Sequence, residues 1–229
     1  MRVRGFTLIE LIIVIVIIGI MSVGFTSMFT QSIQQYMDAN RRSDLSSTAR
    51  LSLERVSREL RDALPNSVRV NLAGTCVEYR PIVGGQLYLN IPMGTAASTF
   101  EAVAFTLPSG TWSAAIMPLT TAEVYDTSAS TSKTVVGISS VSAPSANVVT
   151  VTLSTANSFP RTSPARRFFI TGSPVSFCIS GQELRRYSGY SLSATQPSPG
   201  GGLSGGQLLA KNVQTAGPSF RYTAGTLER

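Results

Sequence analysis

The sequence predicts an α+β chain: a long N-terminal helix, apolar then amphipathic, packed on an antiparallel β-rich head. Three observations carry that expectation. Residues 6–25 hold twenty residues with a single charge, Glu10. From residue 26 the apolar positions recur every three or four residues until Pro65 interrupts them. Beyond Pro65, short β-branched and aromatic runs alternate with Gly, Pro, Asn and Ser, which is strand-and-turn composition. The expected organisation is residues 1–5 as a leader, 6–25 as a membrane or core helix, 26–65 as an amphipathic helix and 66–229 as the head.

The apolar segment would measure about 30 Å as a helix, the thickness of a bilayer core. Arg2 and Arg4 precede it and no Lys or Arg follows until Arg41, which puts the N-terminus in the cytoplasm. A secretory signal peptide, with a small-x-small site at Ser22-Val23-Gly24, or an uncut anchor would share these features. Neither has a use for Glu10. A carboxylate in hydrocarbon costs a few kcal/mol on insertion scales, so an acid there is a functional feature by default. A cut after Gly5 would create the cation it lacks, the free amine of Phe6. That amine, one helical turn away, could come from the same chain or from a neighbour. Met by a neighbour, it would fix the axial register of one helix against another.

The stretch Gly5-Phe6-Thr7-Leu8-Ile9-Glu10, followed by a β-branched apolar run, resembles the class III leader of type IV pilins and type II secretion pseudopilins. The resemblance implies cleavage between Gly5 and Phe6 by a membrane prepilin peptidase, N-methylation of Phe6, and registration of subunits through Glu10. It implies as partners other major and minor pilins, an inner-membrane assembly platform and, before assembly, membrane lipid. No cofactor and no catalysis are implied, since the chain is the peptidase's substrate. The head would be periplasmic at first and later displayed on a filament or at its tip.

From residue 26 the apolar residues Phe29, Ile33, Tyr36, Met37, Leu45, Ala49, Leu53, Val56, Leu60 and Leu64 are expected to form one helical stripe. The pairs Arg50/Glu54, Glu54/Arg58, Arg55/Glu59 and Arg58/Asp62 support a solvated opposite face. Residues 6–64 would make a rod of about 90 Å, loosened near Gly19 and Gly24. Strands are expected at 68–72, 75–82, 86–91, 101–107, 134–141, 147–153, 166–171, 174–180, 182–188 and 207–213. By composition residues 191–206 read as a flexible loop, and residues 125–133 as a second mobile one.

Cys76 and Cys178 both fall in strand candidates. In an oxidising compartment they would form one disulfide across a loop of about 100 residues, and in a reducing one they would be two buried thiols. The membrane segment, which exports the head, decides for the disulfide. The formal charge of +7 is uneven: residues 6–65 sum to zero and residues 66–229 contribute +5. A basic head suits an anionic partner such as nucleic acid, but no basic cluster exceeds two residues, and a plainly solvated surface accounts for the charge as well. The pairs Arg166-Arg167 and Arg185-Arg186 sit beside aromatics in a manner suited to DNA or polysaccharide, although strand alternation produces the same arrangement.

The chain has no histidine, which removes His-based triads and metal sites. Ser130 and Lys133 fit S-x-x-K, without the companion motifs of a serine acyl-enzyme. Glu123 and Asp126 lack the ligand-dense loop of a calcium site. An assembly subunit rather than an enzyme is expected. LERVSRELRDALPNSVRV, CVEYRPI and FCISGQELRRYSGY resemble the larger minor members, the PilW-like and J-type pseudopilins, and most closely the MshO-type subunits of mannose-sensitive haemagglutinin pili. That resemblance implies a role in initiating a pilus, with a type II secretion pseudopilin or a pilus-borne adhesin or DNA-binding module as alternatives. It also implies further closing strands after FRYTAGTL, where this chain reaches Arg229.

Overall fold

The computed structural model describes residues 6–223. The chain divides into two units between Leu51 and Ser52. Helix α1, Leu8–Arg61, passes unbroken through Gly19 and Gly24, where loosening was expected. In the first unit its described apolar side chains are exposed, as a lipid-facing or subunit-facing helix requires. The hydroxyls on this stretch turn back onto the helix: Ser22 Oγ donates to Ile18 O at 2.7 Å, Thr26 Oγ1 to Ser22 O at 2.8 Å and Ser32 Oγ to Met28 O at 2.9 Å. Backbone carbonyls thereby satisfy groups that hydrocarbon cannot.

The second unit begins with the last turns of α1. Its strands follow in chain order: β1 Arg69–Val70, β2 Cys76–Tyr79, β3 Ile82–Leu87, β4 Ala97–Val103 and β5 Trp112–Ala115. After a single helical turn, α2 Thr121–Val124, come β6 Val135–Val141, β7 Val148–Asn157, β8 Arg167–Thr171, β9 Val175–Ser180 and β10 Glu183–Ser188. Then come the two-residue β11 Ser198–Pro199 and β12 Gly202–Leu203, and finally β13 Gln207–Lys211. Each expected strand run overlaps an observed strand, while β5, α2 and the short β11 and β12, which fall in the expected loop 191–206, lie where no element was expected.

Two antiparallel sheets result, one of order β1-β2-β9-β10-β13 and one of order β3-β8-β5-β6-β7-β4. The second sheet closes on itself. Past the end of β3, Tyr88 bridges Ala102 of β4, and Leu89 N donates to Glu101 O at 2.8 Å. This one bridge joins the two edge strands at the end of β3. Its interior is filled by Phe100, Phe159, Phe168, Ile170, Val149 and Val151, with the Phe100 and Phe168 rings edge-on at 5.3 Å.

The five-stranded sheet is built from strands on both sides of the barrel in sequence, so residues 82–171 are an insertion between β2 and β9. One face packs against the end of α1 through Val77, Tyr79, Val175, Phe177, Leu184 and Ala210. The helix face that meets it is Ser52, Val56 and Leu60, with Ala63 just past the helix end; Leu53, placed on that stripe by its spacing, is instead 66% exposed. Where β2 passes into β3, the buried Arg80 donates to Gly172 O at 3.1 Å and Ser113 Oγ at 3.0 Å, tying the two sheets together. Burial lowers its guanidinium to about 10, still cationic at neutral pH.

Candidate functional site

Glu10 lies in the first turn of α1. Its Oε2 accepts from Thr7 N at 3.3 Å and Thr7 Oγ1 at 3.1 Å, while Thr7 O receives Leu11 N at 3.3 Å. This is the reciprocal half of a capping box: a Glu three residues inside the helix reaches back to the N-cap amide. The motif Thr7-Leu8-Ile9-Glu10 carries the S/T-x-x-E signal, which reading Glu10 only as a membrane acid overlooks. Folded back this way, the carboxylate lies at the helix's positive end, beside the residue that follows Phe6. Gly5 and the rest of the leader lie outside the described residues.

At the other end of α1, Glu59 holds the helix to the sheet. Tyr79 Oη donates to Glu59 Oε2 at 2.5 Å, Arg186 Nε at 2.8 Å, and Arg55 Nε to Oε1 at 3.0 Å. Of the four expected i,i+4 pairs, Arg55–Glu59 is thus one that forms, and Arg55 Nη2 reaches on to Gln207 Oε1 at 3.0 Å. Burial pushes the Glu59 carboxyl up, but the bonds from Tyr79, Arg186 and Arg55 together outweigh it and hold it below the ordinary value. A carboxyl lowered in the fold adds stability above its unfolded value, and that stability is lost as pH falls through the folded value. Glu59→Gln is expected to destabilise the head by about 1.5–3 kcal/mol at pH 7, with the difference from the parent chain shrinking below pH about 4. Urea titrations at the two pH values measure it; an equal difference at both would remove Glu59 from the acid response.

The opposite face of the sheet carries Cys76 and Cys178, directly across from one another in β2 and β9 and bonded as a disulfide. Both are fully buried beneath Tyr187 and Leu203. Beside them Glu78, also fully buried, pairs with Arg69 and accepts from Tyr190 Oη at 2.9 Å. Arg69 lies 3.6 Å over the Tyr125 ring and donates to Ser193 O at 2.8 Å and Ala194 O at 2.6 Å. The segment 191–206 is therefore tied at its start by Arg69, at Leu203 by burial over the disulfide, and at Gly206 O by Arg185 Nη1 at 2.8 Å.

The other sequence candidates serve the fold. Arg185 pairs with Glu183 at 2.7 Å and Arg186 with Glu59, so neither is a free cation. Arg161 grips both oxygens of Glu123, at 2.8 and 3.0 Å, and holds that carboxyl below its ordinary range. Lys133 Nζ donates to Ser128 O rather than to Ser130. Among the described residues no group of His, Cys, Asp and Glu is arranged to hold a metal.

A family model described as the prokaryotic N-terminal methylation motif matches residues 1–26. The chain opens on a type IV pilin-like leader. Comparison with curated proteins and with solved structures finds no match for the chain. The leader is the substrate signature of prepilin peptidase, and the apolar helix behind it suits an inner-membrane-anchored pilin. The motif is that of chains which assemble with others, and it suggests a structural subunit.

Proposed function

We propose that this chain is a minor pilin-like subunit that helps initiate or assemble a type IV pilus of the mannose-sensitive haemagglutinin kind, at or near its tip. The observation that carries this reading is the methylation motif of residues 1–26, continuous with a helix whose described apolar side chains are exposed as far as Leu51. The peptidase cuts between Gly5 and Phe6 and methylates the new amine, which keeps its positive charge. The helix, with its hydroxyls already satisfied internally, moves from lipid into a bundle of like helices without exposing polar groups. Glu10 then pairs with the Phe6 amine of a neighbour. Its capping contacts are with a neutral amide and a hydroxyl, so a cation displaces them at little loss.

Glu10→Ala is expected to leave membrane insertion and cleavage intact and to lower incorporation into sheared filaments roughly tenfold or more, the effect of a charge pair worth at least about 1.4 kcal/mol. Mass spectrometry of the N-terminus and immunoblotting of the filament fraction read the two steps separately. Incorporation at the parent level would sink the pairing. Pseudopilins of type II secretion carry the same leader, and cross-linking the chain to its neighbours in the native membrane distinguishes the two machines by their companions.

A further inference from the structure

The outer face of β3 reverses the usual alternation. Its outward residues are Val83, Gly85 and Leu87, while Gly84 and Gln86 face inward. Leu89 continues the outward row past Tyr88, which turns into the barrel. Val83, Leu87 and Leu89 are 47%, 46% and 43% exposed. A solvated strand face is expected to be polar, and scattered apolar residues need no explanation, but Val83, Leu87 and Leu89 follow one another along one outward row, with only Gly85 between the first two and a bulge at Val83.

The flanks of this row carry opposite charges. On β8, Arg167 is the register partner of Leu87. On the β4 side Glu101 lies beside Leu89, which donates its amide to Glu101 O. Both charged residues are exposed, and among the described residues neither has an ionic partner; the Glu101 carboxylate accepts from the Asn90 side-chain amide, at 2.9 Å. A face with an apolar midline, a base on one side and an acid on the other is self-complementary. Rotation by half a turn about an axis along the strand lays each midline residue on its own copy and brings each base to the side of the other copy's acid, offset by two residues or about 7 Å along the strand, a gap the arginine side chain spans. A rotation about the perpendicular in-plane axis would set base against base.

We propose that this face of β3 is a self-association surface on which a second copy of the head packs about a two-fold axis along the strand, Arg167 of each copy meeting Glu101 of the other. Three aliphatic side chains per copy place the contact at the small, weak end of protein interfaces. It forms where chains are concentrated, as when several are anchored in one bilayer.

On this two-fold, residue 87 meets itself. Sheets packed face to face lie about 10 Å apart, beyond the reach of a disulfide, so Leu87→Cys in the full chain, held in detergent micelles, is expected to give a covalent dimer with a short bis-maleimide cross-linker. Ser140→Cys, exposed on β6, serves as control and is expected to remain monomeric. In the Leu87→Cys background, Arg167→Glu or Glu101→Arg alone is expected to lower the dimer yield about tenfold by setting like charges together, and the two combined to restore it. An unchanged melting temperature in each variant confirms the fold. Failure of the residue 87 cross-link, equal cross-linking at residue 140, or no restoration by the double reversal would each overturn the proposal.

Discussion

Replacing both Cys76 and Cys178 by alanine is expected to lower the unfolding free energy of the head by about 4–5 kcal/mol, the loss associated with opening a covalent loop of this size. The two residues are separated by 102 positions. Between them lies the whole barrel, so the bond joins the strand before the insertion to the strand after it. Without it, the pairing of β2 with β9 must be reached by closing a long loop, and the five-stranded sheet cannot form until the barrel has brought its ends together. The site gives no compensation, because both sulfurs are buried under Leu203 and Tyr187 and their removal leaves space there. For a unit of this length the loss corresponds to a fall in melting temperature on the order of 10 °C. Thermal unfolding of the oxidised parent and of the double variant measures it. A fall of less than about 2 °C would mean that the sheet is held by its packing on α1 alone.

How much of this was legible in the sequence depends on the range of the interaction. Pro65 stops the helical pattern, and α1 ends at Arg61 as that local signal requires. The alternation in NVVTVTL is that of β7, whose inward residues Val149, Val151 and Leu153 are buried. The strand β5, Trp-Ser-Ala-Ala, escaped because its middle has no β-branched residue; it is made a strand by β6 and β8 on either side. Closure of the barrel rests on one bridge between Tyr88 and Ala102 that no local pattern encodes. Composition made residues 191–206 a loop, which they largely are, but their anchor Arg69 lies 124 positions before Ser193. Glu10 was found through its incompatibility with lipid, whereas its capping contact with Thr7 followed from a four-residue motif in plain view. Leu53 misled because helical spacing admits residues at the margin of a stripe, and the sheet surface selects Ser52, whose hydroxyl finds Leu209 O at 3.1 Å.

Arg69→Ala is expected to destabilise the head by about 3–5 kcal/mol at pH 7, because it leaves the fully buried Glu78 carboxylate without its cation. The loss extends beyond the pair. The same guanidinium holds Ser193 O and Ala194 O and covers the Tyr125 ring, so its removal frees the start of the 191–206 segment as well. Burial already pushes Glu78 above its ordinary value, with Arg69 and Tyr190 pulling it down; without Arg69 it rises further. A carboxyl raised in the fold binds its proton more readily there than in the unfolded chain. Its contribution is therefore present below the unfolded value and is lost as pH rises towards the folded one, opposite in sign to that of Glu59. The deficit of Arg69→Ala relative to the parent should accordingly shrink on going from pH 7 to pH 4.5. Adding Glu78→Gln should recover much of it at pH 7, since a neutral amide needs no cation. Limited proteolysis is expected to cut both Arg69→Ala chains within 191–206 faster than the parent, because the carbonyl anchors are absent in either case. Urea titration at the two pH values tests the charge, and the proteolysis rate tests the anchor. A deficit independent of pH and untouched by Glu78→Gln would assign Arg69 to loop anchoring alone and remove the buried pair from the stability of the head.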